Sequence, residues 1–597
     1  MFKRANKITS LLVAAASVAT MVPAYAADVK KVDSQDGTVY NAVAYKNGTA
    51  YIDGEVNDTD AGYYYKDGKF TELDNVDSGS EVAAFGSKYA KIDDGKDYNV
   101  DLEAGKVLDS DIPGDTEDDA ASALRKETKD ADRYDATGSI SGVFARDVIA
   151  DLAVIPGAKF TDNWYSTKLY TKAGQFITDN NAVSSSTIFT DMKGNFIDAD
   201  YNLGKIKVEA TLAGASSTTS ASVTIENSKD DYKLRVDGDT YASVNGRAIL
   251  GQDKDYIYRL ADITVYVKTT SLSSDKVAEI NGKDFVLDGT SGSYSTKTLT
   301  VIQKISKKQD SGSVDDGKYA ANVYNYVIGN DSGNVGDDKG YADLAEMANT
   351  QAQVIGGKLV LFNVENASTA SSGRAETVLV QAATLKQKNG YYYTDIEDSA
   401  NTTPEFSSKT NKTAIDTDVD GNIYVLDGGY IKKFDGTDDW TKIYKVDGSF
   451  DAISAYDKDN MVAWSQADEV YSVIGGKSDD GKKDDGTTTT TPAAAGWAKN
   501  TDGSWSFNKA DGTKATGWYT DTTGTWYYSN ANGIMLANAW AQDSAGAWYY
   551  LGGSGAMTVN AWVQSGGKYY YVGATGAMLV NTTTPDGYWV GADGAWV

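Results

Sequence analysis

The sequence predicts a mainly β protein, with a large β-rich N-terminal region and a C-terminal β-hairpin solenoid. Two observations carry this. Among 597 residues there are 59 Gly and 40 Tyr, with Thr, Val and Asp abundant and helix formers sparse, and short alternating segments sit between Gly, Asp and Asn turns. The second observation is periodic. Nine of the twelve Trp lie from Trp497 onward, and Trp497, Trp518, Trp540 and Trp562 are 21, 22 and 22 residues apart. A fixed period of this length marks stacked repeats rather than one globular core.

Residues 1–26 read as a secretory signal peptide. Lys3, Arg4 and Lys7 form the charged start, Ile8 to Val22 the apolar run, and Ala24-Tyr25-Ala26 a small-x-small cleavage site. No later stretch is apolar enough to span a bilayer. The expectation is therefore a secreted chain that leaves the membrane after cleavage and carries no covalent or lipid anchor.

Charge and missing residue types narrow the chemistry. A formal net charge of -28 argues against nucleic acid and anionic membranes as partners, since both need basic patches. The chain has no Cys and no His. Ser-His-Asp triads, Cys-His pairs and His-ligated zinc centres are excluded. Carboxylates, Lys, Tyr, Ser and Thr are what remains. With 84 acidic residues, no catalytic carboxylate pair stands out by position, so no catalytic residue is assigned.

Residues 27–474 read as a β-rich ectodomain. Short alternating segments are expected at Tyr63–Phe70, Lys205–Ala210, Tyr256–Arg259, Ile263–Val267 and Leu359–Val364. Two helices are expected, over Thr116–Tyr134, solvated or partly disordered, and about Tyr341–Gln353. Lys412–Gly475 is the clearest unit. Strands beginning at Ile423, Tyr430, Trp440, Ala452, Met461 and Val470 are joined by Asp-Gly and Asp-Asn turns. This stretch resembles blades of secreted bacterial β-propellers. The resemblance implies a β-propeller-like ectodomain of about six to eight blades, with tandem β-sandwiches as the alternative. Within it, Asp416, Asp418, Asp420 and Asp427 alternate as oxygens do in a calcium-binding loop. Strands flank the loop, however, so a plain turn is the stronger reading, with calcium the weaker one and no cofactor otherwise expected.

Residues 475–495 are Gly, Asp, Lys and Thr without apolar periodicity, and read as a flexible linker. Residues 496–597 are the repeats. Each unit runs through a Trp, a polar spacer, an aromatic triplet and a Gly-x-Met. One unit is Gly517-Trp518, Gly524-Thr525-Trp526-Tyr527-Tyr528 and Gly533-Ile534-Met535. The next is Ala539-Trp540, Gly546-Ala547-Trp548-Tyr549-Tyr550 and Gly555-Ala556-Met557. The third is Ala561-Trp562, Gly567-Lys568-Tyr569-Tyr570-Tyr571 and Gly576-Ala577-Met578. Two aromatic strands around a polar turn make a hairpin that is marginal alone and stable when stacked.

This array resembles the choline-binding, or cell-wall-binding, repeats of Gram-positive surface proteins. The resemblance implies cages between successive hairpins that hold choline on teichoic acid or a similar wall polymer. Aromatic faces suit a quaternary ammonium, which has no hydrogen-bond donor. Carried onto this sequence, one cage takes Trp518, Trp526 and Tyr549, the next Trp540, Trp548 and Tyr570, with Met535 and Met557 as lining. Tyr569 stands where Trp is expected and should weaken the third cage, and Tyr588-Trp589-Val590 reads as a cap. The function expected is non-covalent attachment to the cell wall at the cell surface, displaying a non-catalytic binding or adhesive ectodomain. The alternative is a wall-remodelling glycoside hydrolase of carboxylate muramidase type, targeted by the same repeats.

Overall fold

Strand follows strand through almost the whole chain. The computed structural model describes residues 29–475 and 496–597, apart from 57, 94–97, 173–182, 212–219, 236–237, 273–275, 330–338, 366–376, 405–413, 500–504, 510–513, 522–524, 531–532, 538, 544–546, 553–554 and 566–567. The expected leader, nearly all of the expected linker, and Gly524, Gly546 and Gly567 of the repeats lie outside the described residues. The chain divides into two units, Met1–Gly481 and Lys482–Val597.

In the first unit, Thr38–Ala44, Ala50–Val56, Thr59–Lys66 and Lys69–Glu72 form a four-stranded antiparallel sheet in simple sequence order. Its last turn is Asp67-Gly68, with φ of 48 and 79; two left-handed residues match the twist of a tight hairpin. Glu81–Phe85 to Lys106–Asp109 repeat the arrangement. So do Ala153–Val154, Trp164–Lys172, Val183–Asp191 and Phe196–Asp198. In the Lys412–Gly475 region the expected strands form as Ile423–Asp427, Tyr430–Phe434 and Trp440–Lys445, then Ala452–Asp457, Asn460–Ser465 and Val470–Ile474, and a further strand, Ile415–Thr417, precedes them where an acidic loop was expected. Both of these sheets are extended by N-terminal strands. Lys30–Lys31 runs parallel to Tyr444–Lys445, and Gln35–Asp36 antiparallel to Val470–Tyr471.

A ten-stranded sheet interrupts this succession of small, blade-like sheets. Its strands Gly238–Gln252, Tyr256–Lys268 and Tyr294–Ser306 are 15, 13 and 13 residues long. One parallel pair, Val327 with Tyr393, joins its two antiparallel runs. Period-2 burial organises it: Ile263, Val265 and Val267 are buried with Ala242, Leu299 and Val301. The sheet of Asn202–Thr211, Ser220–Asn227, Val277–Ile280 and Lys283–Val286 contributes Ile206, Val208, Ile225 and Ile280 to the same core, which makes that part a local β-sandwich. The first unit thus combines small sheets with a sandwich.

Both helices differ from their expected form. Helix α1, Ile112–Thr128, starts one turn earlier, because Asp111 accepts from Gly114 N at 3.0 Å and caps it. It buries Ala120, Ala121 and Leu124 against Leu169 and Ile188, so it is a packed helix rather than a solvated one. Helix α2 is only Lys339–Glu346; Gln351–Gln353, expected to be its end, belong instead to the strand Gln351–Ile355 that pairs with Lys358–Glu365.

Candidate functional site

The second unit is a series of two-stranded hairpins. Gly496–Lys499 pairs with Trp505–Asn508, Gly517–Thr520 with Trp526–Ser529, and Ala539–Gln542 with Trp548–Leu551. Ala561–Ser565 pairs with Lys568–Val572, and Thr582–Thr583 with Trp589–Val590. Register sets an aromatic pair inside each of the middle three. Trp518 faces Tyr528 with ring centroids 5.2 Å apart, Trp540 faces Tyr550 at 5.1 Å, and Trp562 faces Tyr571 at 5.3 Å.

A second relation links each hairpin to the next. Trp497 meets Tyr527 at 4.6 Å, Trp518 meets Tyr549 at 5.1 Å, Trp540 meets Tyr570 at 5.4 Å and Trp562 meets Tyr588 at 5.9 Å. Tyr549 and Tyr570 therefore reach the preceding unit's Trp, while Tyr550 and Tyr571 pair within their own hairpins. Trp526 comes within 6.5 Å of Trp518, so the structure brings Trp518, Trp526 and Tyr549 together. Tyr549 also donates to Asp543 Oδ2 at 3.0 Å.

The Gly-x-Met series closes the stack. Gly533, Gly555, Gly576 and Gly594 all have φ between 74 and 83. A Cβ on Gly555 would lie 2.3 Å from Met535 Sδ; on Gly576, 2.7 Å from Met557; on Gly594, 2.5 Å from Met578. Each Met thus abuts the following unit's glycine turn, where no side chain fits. Lys514 does the same beneath Gly533, in the unit that lacks a Met. The Met backbones also reach back one hairpin: Met535 N donates to Trp505 O at 2.7 Å, Met557 N to Trp526 O at 2.8 Å and Met578 N to Trp548 O at 2.7 Å. Met535 and Met557 are therefore packing residues of the stack.

What the stack leaves out is informative. Trp505, Trp526, Trp548 and Tyr569, at equivalent positions, are 41, 46, 42 and 44% exposed. A large aromatic that only held the hairpins together would be buried. Four of them in register form a row of open aromatic recesses, with Trp526 beside Trp518 and Tyr569 beside Trp596.

The last recess is enclosed by rings from two successive units. Trp562, Tyr569, Asp586, Tyr588 and Trp596 line a cavity of about 380 Å³. Trp596 lies 6.4 Å from Trp562, 6.3 Å from Tyr569 and 5.6 Å from Tyr588, all edge-on. Asp586 accepts from Trp562 Nε1 at 2.7 Å and Thr584 Oγ1 at 2.6 Å. Those hydrogen bonds hold its carboxyl below the usual carboxylate range, so a negative charge sits at the wall of an aromatic box. Tyr588 and Trp596 of the last unit, which the sequence reads as a cap, line this box beside Tyr569. The missed signal was Gly594-x-Trp596, which has the spacing of Gly576-x-Met578; Trp596 N donates to Tyr569 O at 2.8 Å, as the Met residues do to their partners.

Three of the acidic loop's four carboxylates have partners within the protein. Asp418 accepts from the backbone of Asp420 and Asn422 and from Tyr424 Oη. Asp416 pairs with Lys159, and Asp427 with Lys432. Its carboxylates close the turn and bind neighbouring lysines, and among the described residues no three carboxylates converge as metal ligands.

Residues 516–535 and 538–557 match the model of a putative cell wall binding repeat, and residues 564–596 that of a choline-binding repeat. The C-terminal repeats belong to the choline-binding repeat family, whose members imply attachment to the cell wall at the surface. Among solved structures, the choline binding domain of Spr1274 from Streptococcus pneumoniae is 47% identical over 14% of this chain and 95% of its own, with a TM-score of 0.13. The modular Cpl-1 endolysin, complexed with a peptidoglycan analogue, is 29% identical over 19% of this chain and 30% of its own, TM-score 0.13. A pneumococcal cell wall endolysin from phage Cp-1, complexed with choline, is 23% identical over 21% of this chain and 42% of its own, TM-score 0.14. The chain thus spans less than half the length of these two endolysins. No curated protein matches it.

Proposed function

We propose that the protein is secreted and held non-covalently on the bacterial cell wall by choline groups of teichoic acid or a similar polymer, displaying residues 27–474 as a non-catalytic binding or adhesive ectodomain. The ligands enter the recesses of Trp518, Trp526 and Tyr549, of Trp540, Trp548 and Tyr570, and of the terminal box, with Met535 and Met557 at their floors. The observation that carries this reading is the row of exposed rings at equivalent repeat positions.

A quaternary ammonium offers methyl groups and a diffuse charge, so ring faces and a carboxylate suit it better than hydrogen-bond acceptors do. Each ring contact contributes about 0.5–2 kcal/mol. One recess alone binds weakly, but a polymer engaging several at once gains through effective concentration. The test is chromatography of the intact protein on an amine-bearing resin. Free choline should elute it, and walls stripped of choline should fail to retain it; retention indifferent to both would overturn the reading. The ectodomain part is checked by zymography on purified wall, where a lysis band would show that the region is catalytic.

A further inference from the structure

The N-terminal unit holds a cavity of its own, of about 480 Å³, in the size range of small-molecule sites. Segments distant in sequence meet there. The loop ahead of strand Trp164–Lys172 supplies Phe160 and the strand's first residue is Trp164, the end of strand Gly238–Gln252 supplies Gln252, and Lys307, Gln353 and Asp420 come from three further segments.

The loop is clamped in place. Lys159 pairs with Asp416, its ammonium reaches Ala455 O at 3.3 Å, and its backbone N donates to Asp418 O at 3.3 Å. The Phe160 ring is 5.0 Å from Tyr45 and 5.6 Å from Tyr456. Phe160 has a φ of 54, a conformation that a bulky residue adopts only when its surroundings impose it. Such outliers gather at binding sites.

The walls hold unmet hydrogen-bonding capacity of both kinds. Gln353 is 2% exposed and its Nε2 has no partner; Gln252 is 7% exposed and, with its Nε2 donating to Ile155 O at 2.8 Å, its Oε1 has none. Buried amides are nearly always partnered. Asp420 adds a carboxylate. Lys307 donates to Asp253 O at 2.6 Å and lies 5.5 Å over the Trp164 ring. Burial lowers its amine to about 8, so it stays mostly protonated at pH 7 and loses its charge about two pH units earlier than an ordinary lysine.

The chemistry of the occupant follows. Carboxylates in the wall and a chain charge of -28 disfavour anions, and Lys307 disfavours a simple cation. An amide donor, an amide acceptor, a carboxylate, an amine and an aromatic ring together suit a neutral molecule that carries many hydroxyls on an apolar ring frame. We infer that this cavity is a saccharide-binding site for one or two neutral pyranose rings, formed by Trp164, Gln252, Lys307, Gln353 and Asp420. This goes beyond wall attachment by the repeats and does not depend on it.

The test is calorimetric titration of the intact protein, in saturating choline, with chitotetraose and with cellotetraose. Binding of either is expected, and a preference for chitotetraose would show that the acetamido groups engage the glutamines. Lys307→Met and Gln353→Ala should weaken binding tenfold or more with near-ultraviolet circular dichroism unchanged, and elution from amine resin by choline should be unaffected. Asp420→Asn, at the cavity wall and conservative in size, serves as a third variant should either of the others fail to fold. Heat signals absent for both sugars, or undiminished in all folded variants, would overturn the assignment, whatever the resin experiment shows.

Discussion

Trp526 and Trp548 are half-exposed rings on short strands, and exposure gives them a different expected phenotype from their neighbours. Trp548→Ala should leave unfolding within about 0.5 kcal/mol of the parent, as surface changes do. Choline affinity of its recess should fall about tenfold, the equivalent of about 1.4 kcal/mol, read by titration with choline. Asp586→Asn should weaken choline binding at the terminal box and reduce its salt dependence. The sign of its pH behaviour follows from its lowered carboxyl. Whatever it contributes to the last hairpin is present above the ordinary carboxylate value and lost as pH falls through the lowered folded one. Lys307 runs the other way, its amine lowered by burial from 10.5 to about 8. The cost of burying its charge is carried below about 8 and relieved as pH rises toward the ordinary lysine value. Lys307 should therefore be acylated at pH 8 well ahead of the surface lysines, as peptide mass spectrometry would show. Residue types alone located the rings of the repeats. They did not locate Trp596, because a Trp in a Met position reads as a break in the pattern until its backbone bond to Tyr569 is seen.

At the level of the hairpin, the glycine and methionine columns are one device. Gly555 is left-handed with φ 79, and a Cβ there would overlap Met535 Sδ. Gly555→Ala should therefore destabilise the repeat unit by about 1–3 kcal/mol, combining overpacking with backbone strain. Pairing it with Met535→Ala should return part of that loss, which denaturant unfolding of the two single variants and the double variant would measure as a coupling energy. The period itself was legible in the sequence because stacked units must present the same groups at the same height. The helices were less so. Asp111 moved the start of α1, and the strand partner of Gln351–Ile355 took residues that pattern alone assigned to α2.

Across the whole first unit, the chain's N-terminal strands complete sheets formed near its end. Lys30 pairs beside Tyr444 and Gln35 beside Tyr471, and Ser472 Oγ donates to Asp33 O at 2.9 Å. Removal of residues 29–36 should expose the edges of both sheets and lower the melting temperature of the ectodomain, followed by calorimetry, while choline elution of the shortened protein stays unchanged. Local sequence determined the strands, their turns and the 22-residue rhythm of the repeats, because alternation, left-handed turn residues and stacking all act over a few residues. Only the tertiary structure decided which sheets those early strands would join, how Phe160 and Trp164 came to face Gln353 and Asp420, and that the last repeat would build a box with Trp596. Those contacts join residues far apart in the chain or break the repeat's own pattern, and their partners are chosen by burial and register rather than by local preference.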